Sequence, residues 1–356
     1  YGIRETLLGS DKLTWEKSYK TNIGLEMMLW GKLNLTLDYY WERRKDILIQ
    51  RSSLPSMAGF DASIYANMGE MDNKGVDANL EYQTRIGNKV GLRLFGNLTY
   101  SKNKIVFRDE PAMQYAYQKS EGTRYGEFYG YIAEGYFQSE EEIKKSPRQM
   151  RELAPGDIKY KDLNDDGVID ANDQCYLGKS WFPSWSYGMG FNINYHNFDL
   201  ALFFQGVSDV SIMANGGSID TGNGDWGASG VGIVPFTGMG LNPSNVITKA
   251  LDRWTADNPR ADAWYPRMTA NATTNDNNYV NSTHWLKDGS YLRLKQASLG
   301  YTLENKKLMD KGIEYLYFYL SGQNLLTFSK FKLWDPELGS NGAKYPLSRM
   351  VTLGMR

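Results

Sequence analysis

Between Pro155 and Gly178 the chain reads PGDIKYKDLNDDGVIDANDQCYLG, and its oxygen-bearing side chains fall at a spacing suited to a hard cation. With Asp162 at position 1 of a twelve-residue calcium loop, Asn164, Asp166, Asp170 and Asp173 occupy positions 3, 5, 9 and 12. Val168 offers its carbonyl at position 7, and Gly167 stands at position 6, where the backbone must turn sharply. Asp173 is one methylene shorter than the usual bidentate Glu, so the coordination would be smaller or completed by water. No helix obviously follows the loop, which points to a Ca2+ staple and not to a helix-pair sensor. A turn cluster of Asn, Asp and Gly without metal is the alternative.

Aromatic side chains are the second chemical feature. Trp181, Phe182 and Trp185 follow the acidic loop and could stack on sugar rings, although an aromatic girdle at a membrane surface is the simpler reading. Trp226, Trp254, Trp264 and Trp285 lie in or beside a long irregular stretch, where they could contact a ligand or a partner, or pack within the loop itself. His196 and His284 have no cysteine cluster to complete a zinc site, and the lone Cys175 has no disulfide partner. The chain contains no nucleophile elbow, phosphate loop or zinc-protease signature, so the chain is read as non-enzymatic.

The elements that must position these groups read as β-strands. The 356 residues include 25 Tyr, 10 Trp and 36 Gly at a mean hydropathy of -0.53. No run of apolar residues is long enough for a membrane-spanning helix, whereas a membrane barrel stays low in hydropathy because lipid-facing and lumen-facing residues alternate. Leu33, Leu35, Leu37, Tyr39 and Trp41 alternate with Asn34, Thr36, Asp38 and Tyr40, following a turn near Trp30, Gly31 and Lys32. Val76 to Gln83 and Val90 to Tyr100 repeat the pattern around Gly87 and Asn88, and Tyr187 to Tyr195 and Phe198 to Val207 repeat it around His196 and Asn197. Asp38, Asp77, Asn79, Glu81, Arg93 and Asn97 would line a hydrated interior. With 40 basic and 41 acidic residues interspersed, nucleic acid is not an expected partner.

Short turns at one end face long connections at the other, as in outer-membrane barrels. Residues 51–73 read as a loop. The stretches 105–184 and 208–288 read as long loops, the first with a strand around Phe128 to Gln138, a short charged helix from Glu140, and little hydrophobic material to order it. Tyr291 to Leu303 and Ile313 to Asn324 form a last hairpin with blurred alternation, for which a bulge is one cause. A terminal strand starts near Met350, giving about ten strands. The opening YGIRETLLGSDKLTWEKS has neither the basic start nor the apolar core of a signal peptide, and reads as an internal segment of a longer protein.

Six segments, in order, carry a resemblance: LTWEKSYKTNIGLE with LNLTLDYYWERRKDIL, PGDIKYKDLNDDGVIDANDQ, FPSWSYGMGFNINYHNFDLALFFQG, RWTADNP, YPR, and SYLRLKQASLGYTL. Together they resemble the C-terminal part of SusC-like (RagA-like) TonB-dependent outer-membrane transporters along nearly all of the chain. The resemblance implies an all-β, transmembrane antiparallel barrel of 22 strands in the full protein, of which residues 1–356 supply about the last ten. The family's plug domain and TonB box have no counterpart in these residues. It also implies a Gram-negative outer-membrane location in contact with lipid, extracellular long loops, a SusD-like lipoprotein partner and TonB coupling through the missing part. The solute would be an oligosaccharide or a peptide, with glycans preferred. A secreted calcium-binding β adhesin or carbohydrate-binding module is the alternative, and it would bury the inner faces of both its sheets in one core.

Overall fold

The computed structural model describes residues 12–53, 64–87, 89–215, 248–268, 276–310, 312–340, 342 and 345–356. Its strands are β1 (Lys17–Leu29), β2 (Leu33–Gln50), β3 (Tyr65–Ile86), β4 (Val90–Phe107), β5 (Glu127–Gly130), β6 (Ala133–Tyr136), β7 (Ile158–Tyr160) and β8 (Cys175–Ser180). They continue with β9 (Trp185–Tyr195), β10 (Phe198–Ser208), β11 (Ser211–Met213), β12 (Leu286–Asp288), β13 (Tyr291–Leu303), β14 (Leu316–Ser329) and β15 (Met350–Met355). Among the described residues, nine strands form one sheet in the order β1-β2-β3-β4-β9-β10-β13-β14-β15, and every neighbouring pair is antiparallel. This is an open arc of barrel wall with β1 and β15 at its edges. The other six strands pair two by two within the loops.

The register converts period-two sequence into continuous stripes. Leu92, Ile193, Leu200, Leu299, Leu320 and Leu353 are successive cross-strand partners from β4 to β15. The adjacent row on the opposite face is Gln83, Arg93, Asn192, Ala201, Ser298, Ser321 and Thr352. It is the apolar face that stands in the open: Leu25 is 47% exposed, Leu299 48% and Leu353 81%. The polar face is the one the loops fold over, since Ile105, Tyr291 and Arg293 on it are buried. Along the apolar face of β4, Val90 and Tyr100 are paired with Tyr195 and Trp185. The strand between them rises about 33 Å, and a barrel tilt near 40° reduces this to about 25 Å, the height of the lipid-facing band of outer-membrane barrels. Among the described residues no helix is long and apolar enough to cross a membrane.

Several boundaries differ from the pattern reading. β3 begins at Tyr65, so residues 65–73 are strand and not loop; polar as they are, they extend the β2 pairing and bring Glu70 and Asp72 onto Arg43. The stretch Phe128 to Gln138 is two short strands, β5 and β6, which pair with β8 and β7. α1 (Glu140–Lys145) is the short charged helix, capped by Ser139, whose side chain accepts from Glu142 N. β14 runs to Ser329 instead of Asn324. The blurred alternation of β13 has a bulge as its cause, because the register slips between Leu294 and Gln296 and leaves Lys295 unpaired.

Candidate functional site

The acidic loop folds back on itself through its own backbone donors. Asp162 accepts from Asp165 N (2.7 Å) and Gly167 N (2.8 Å), and Asp166 accepts from Val168 N (2.8 Å). Asp170 accepts from Asn172 N, and Asp173, fully buried, accepts from Leu163 N and Asp170 N. Gly167 has φ +82°, a conformation that side chains disfavour and that the sharp turn at position 6 requires. The donor types and the turn therefore fit a hard cation. Among the described residues, however, no three His, Cys, Asp or Glu side chains gather as a metal cage. No helix pair flanks the loop: Ala171–Asp173 is a single 3-10 turn, and Arg148 bridges to Val168 on the other side.

The loop is anchored from within by Ile169, 1% exposed, in a core that composition did not announce. Residues 105–184 were expected to have little apolar material. Instead Phe128, Tyr131, Tyr136, Ile158, Tyr160 and Ile169 pack with Met213, Trp254, Tyr265 and Trp285, so the two long loops build one shared core above the wall. Each contributes too little alone, and together they exclude water.

Buried polar groups fix how the loops meet. Asp157, 1% exposed, accepts two bonds from Arg267 (3.0 and 2.9 Å), one from Ala154 N and one from Asn278 Nδ2. Asn278 Oδ1 accepts from Ile158 N, and the Asn278 carbonyl accepts from Trp285 Nε1. Gln149 donates to the Ile158 carbonyl and to Asn277 and accepts from Tyr160 N, while the Tyr160 hydroxyl donates to the Asn277 carbonyl. Gly156, at φ +92°, lies against the ring of Trp254, where a Cβ would collide. The PGD, RWT and YPR segments thus meet in one place, as a tie between loops 110 residues apart.

This arrangement settles the positions of the tryptophans. Trp285 is fully buried and Trp254 is 5% exposed, so both are core residues with no face left for a partner. Trp264 is half-buried, edge-on to Trp285, with the Lys287 ammonium 5.1 Å from its ring centroid. Trp226 lies outside the described residues. Trp185 belongs to the wall and packs on Tyr100. His284 sits beside Tyr136 and within 3.2 Å of the Trp264 carbonyl; burial, reinforced by the Lys287 charge, pulls its pKa down to about 3. Burial likewise raises the Tyr136 and Tyr160 hydroxyls and lowers Lys287.

Open, mixed chemistry is found where the polar face of the wall meets the loops. A cavity of about 330 Å³ is lined by Trp181, Gln205, Tyr291, Lys295 and Glu337, among others. Trp181 is 52% exposed and lies near Phe182, which stacks on Tyr125. Lys295 is the bulge residue, delivered to the cavity by the slipped register. Arg293 underpins this corner, holding Asp335 (2.7 and 2.9 Å) and Glu337 (3.3 Å). The alternation of β13 hid Lys295 and Arg293, and their only sequence signal was the blur itself. Of the expected lumen residues, Glu81 and Arg93 form a two-bond ion pair (3.0 Å each), and Arg93 also lies over Phe95, which stacks on Phe203.

Comparison with known proteins agrees with this architecture. The family model described as "TonB dependent receptor-like, beta-barrel" matches residues 2–325. The chain is 28% identical to "TonB-dependent receptor P3" of Formosa agariphila over 99% of its own length and 35% of the relative's. It is 23% identical to "TonB-dependent receptor SusC" of Bacteroides thetaiotaomicron, over 97% of its own length and 32% of the relative's. A solved structure of the RagAB peptide transporter superposes with a TM-score of 0.72 at 23% identity, over 99% of this chain and 36% of that one. The chain therefore spans about a third of the length of the relatives it matches.

Proposed function

The chain belongs to the TonB-dependent receptor-like β-barrel family, and from that premise we propose that it is the C-terminal barrel portion of a SusC-like outer-membrane importer of nutrient oligomers, with glycans as the solute. The observation that carries this reading is the inverted wall, apolar and exposed outside, polar and loop-covered inside. A secreted adhesin or carbohydrate-binding module would bury its apolar sheet face, and this sheet leaves that face open. Transport on this reading is noncovalent: the long loops are extracellular, a SusD-like surface lipoprotein closes the mouth over them, and TonB acts through the part of the protein that precedes these residues. Trp181 with its neighbours Phe182 and Tyr125 supplies exposed ring faces suited to sugars, which favours glycans. The likeness to a peptide transporter supports peptides as the second reading.

Calcium enters the same proposal as a staple. Asp162, Asn164, Asp166, the Val168 carbonyl, Asp170 and Asp173 would supply its oxygen ligands, cross-linking a loop whose Ile169 already reaches the shared core. Extracellular calcium is plentiful, so an affinity of roughly 10⁻⁴–10⁻³ M suffices.

The test is a binding screen of the full-length protein with its native SusD-like partner against glycan and peptide oligomers. Glycan binding that weakens about tenfold in Trp181→Ala, with the barrel still folded, is the expected result. Tight binding of a peptide with no glycan bound would overturn the glycan assignment. A full-length protein that stays monodisperse without detergent would overturn the transporter reading itself.

A further inference from the structure

The apolar face of the wall changes character toward the long-loop end of β2, β3 and β4. Tyr39, Val76, Tyr100 and Trp185 form one cross-strand row, the aromatic edge of the lipid-facing band. In the next row outward, Trp41 is partnered by Lys74 and Lys74 by Lys102, and in the row beyond that Asp72 is partnered by Lys104. All three lysines are exposed, and none has a hydrogen-bond or ion-pair partner among the described residues. Like charges directly opposite one another in an antiparallel pair repel and destabilise the sheet. Lys74 and Lys102 are such a pair, and their Cα atoms must lie about 5 Å apart, with Lys104 about 7 Å farther along the same face. The carboxylates nearby are not paired with them: Glu70 is held by Arg43 at 2.8 Å, Asp72 lies 3.5 Å from the same guanidinium, and among the described residues neither forms an ion pair with a lysine of the trio.

We propose that Lys74, Lys102 and Lys104 form a binding site for a phosphorylated lipid headgroup in the leaflet at the long-loop end of the barrel. The inference rests on the reading of the wall as lipid-embedded. A phosphate between the paired lysines removes their repulsion and gains charge-assisted hydrogen bonds, and the exposed Trp41, with the half-buried Tyr100 next to it, holds the attached apolar chains at the girdle. Position along the strand selects the occupant. The cluster sits just beyond the aromatic edge, at the depth of headgroups, and the apolar band begins immediately below it. Phosphate free in solution would gain the charges but not the apolar contacts.

The experiment uses the full-length protein in phosphatidylcholine nanodiscs doped with bisphosphorylated lipid A, or with the same lipid A stripped of its phosphates, and reads retained lipid by native mass spectrometry. Wild type should retain the phosphorylated form at least tenfold more strongly. Each neutralised lysine should weaken retention about fivefold, so Lys74→Gln/Lys102→Gln/Lys104→Gln should abolish the preference. Lys32→Gln/Lys89→Gln, at the short-turn end, should keep it. If the triple variant does not fold, as judged by its heat-modifiable gel shift, Lys102→Gln alone should still show a loss of about fivefold. Equal retention of both lipids, unchanged retention in the folded variants, or displacement of the lipid by inorganic phosphate at comparable concentration would each overturn the site. Failure of the wall reading is distinguishable, because the protein would then need neither detergent nor nanodisc.

Discussion

Arg267→Met tests whether the Asp157 tie holds the two long loops together. In the folded protein the Asp157 carboxylate receives two bonds from Arg267 and one each from Ala154 N and Asn278 Nδ2. Removing the guanidinium leaves a buried anion with two neutral donors. Breaking a buried ion pair from one side costs about 3–5 kcal/mol. Arg267 is 28% exposed, so water can reach the vacated side, and the lower end, about 3 kcal/mol, applies. At about 1.4 kcal/mol per factor of ten, opening of the loop core becomes on the order of 100-fold more frequent. Hydrogen exchange on the full-length protein should show that loss of protection in peptides covering 154–160 and 276–286, with β2 to β4 unchanged. Asp157→Asn added to Arg267→Met should recover part of the loss, since no unpaired charge is left buried. Protection that is unchanged in the single variant, or no better in the double, refutes the tie.

Other consequences follow from the same geometry. Asp166→Ala should loosen the acidic loop and the partner interface while the barrel still folds, and unchanged metal content with unchanged exchange in residues 160–175 would remove the calcium site. His284 stays neutral in the folded core, with its pKa near 3 against 6.5 when unfolded. Its contribution is therefore fully present above about pH 6.5 and declines as pH falls toward 3, because only the unfolded loop takes up the proton, by at most about 1.4 kcal/mol per pH unit. His284→Gln should flatten the acid dependence of loop-core exchange over that interval, and equal slopes would refute the assignment. Leu94→Arg, on the apolar face between the two aromatic edges, should cost about 2–4 kcal/mol of barrel stability, whereas Asn97→Arg on the polar face should be tolerated; heat-modifiability gels compare them. Trp285→Ala should destabilise the loop core by about 3–5 kcal/mol, measured by exchange.

The wall was legible because each strand states its two faces in period two, and because the turns at Trp30, Gly87 and His196 are short enough to force antiparallel neighbours. Alternation alone does not say which face is wet. Leu33 to Trp41 would read identically in a soluble sandwich, and only the assembled register, with row after row of apolar partners standing exposed, gives the sign. The same logic accounts for the misreadings. Residues 65–73 lose the apolar alternation because that part of β3 rises above the apolar band, where the outer face meets headgroups and water and not acyl chains, so strand and loop composition converge there. At Lys295 one extra residue inverts the phase, and a reading built on phase loses the strand at that point.

The loop core was illegible for a different reason. Asp157 and Arg267 are ordinary surface residue types in two separate loops, and nothing local to either specifies the other; each acquires meaning only when the wall returns the chain to the same end of the barrel. The same core explains why Trp254 and Trp285 have no ring face left for a ligand. A loop of this length cannot pay its conformational entropy with backbone turns, so its largest apolar side chains are the ones most needed inside. Trp254 and Trp285 went to the core, and Trp181, which follows the acidic loop directly and has the wall on its other side, kept its ring face open. An exposed ring beside the polar face of the wall, more than residence in a long loop, is therefore the feature that should mark solute-contacting aromatics in this chain. Paired Trp181→Ala and Trp264→Ala measurements decide it: solute affinity should fall in the first and loop-core protection in the second, and the reverse assignment would refute the rule.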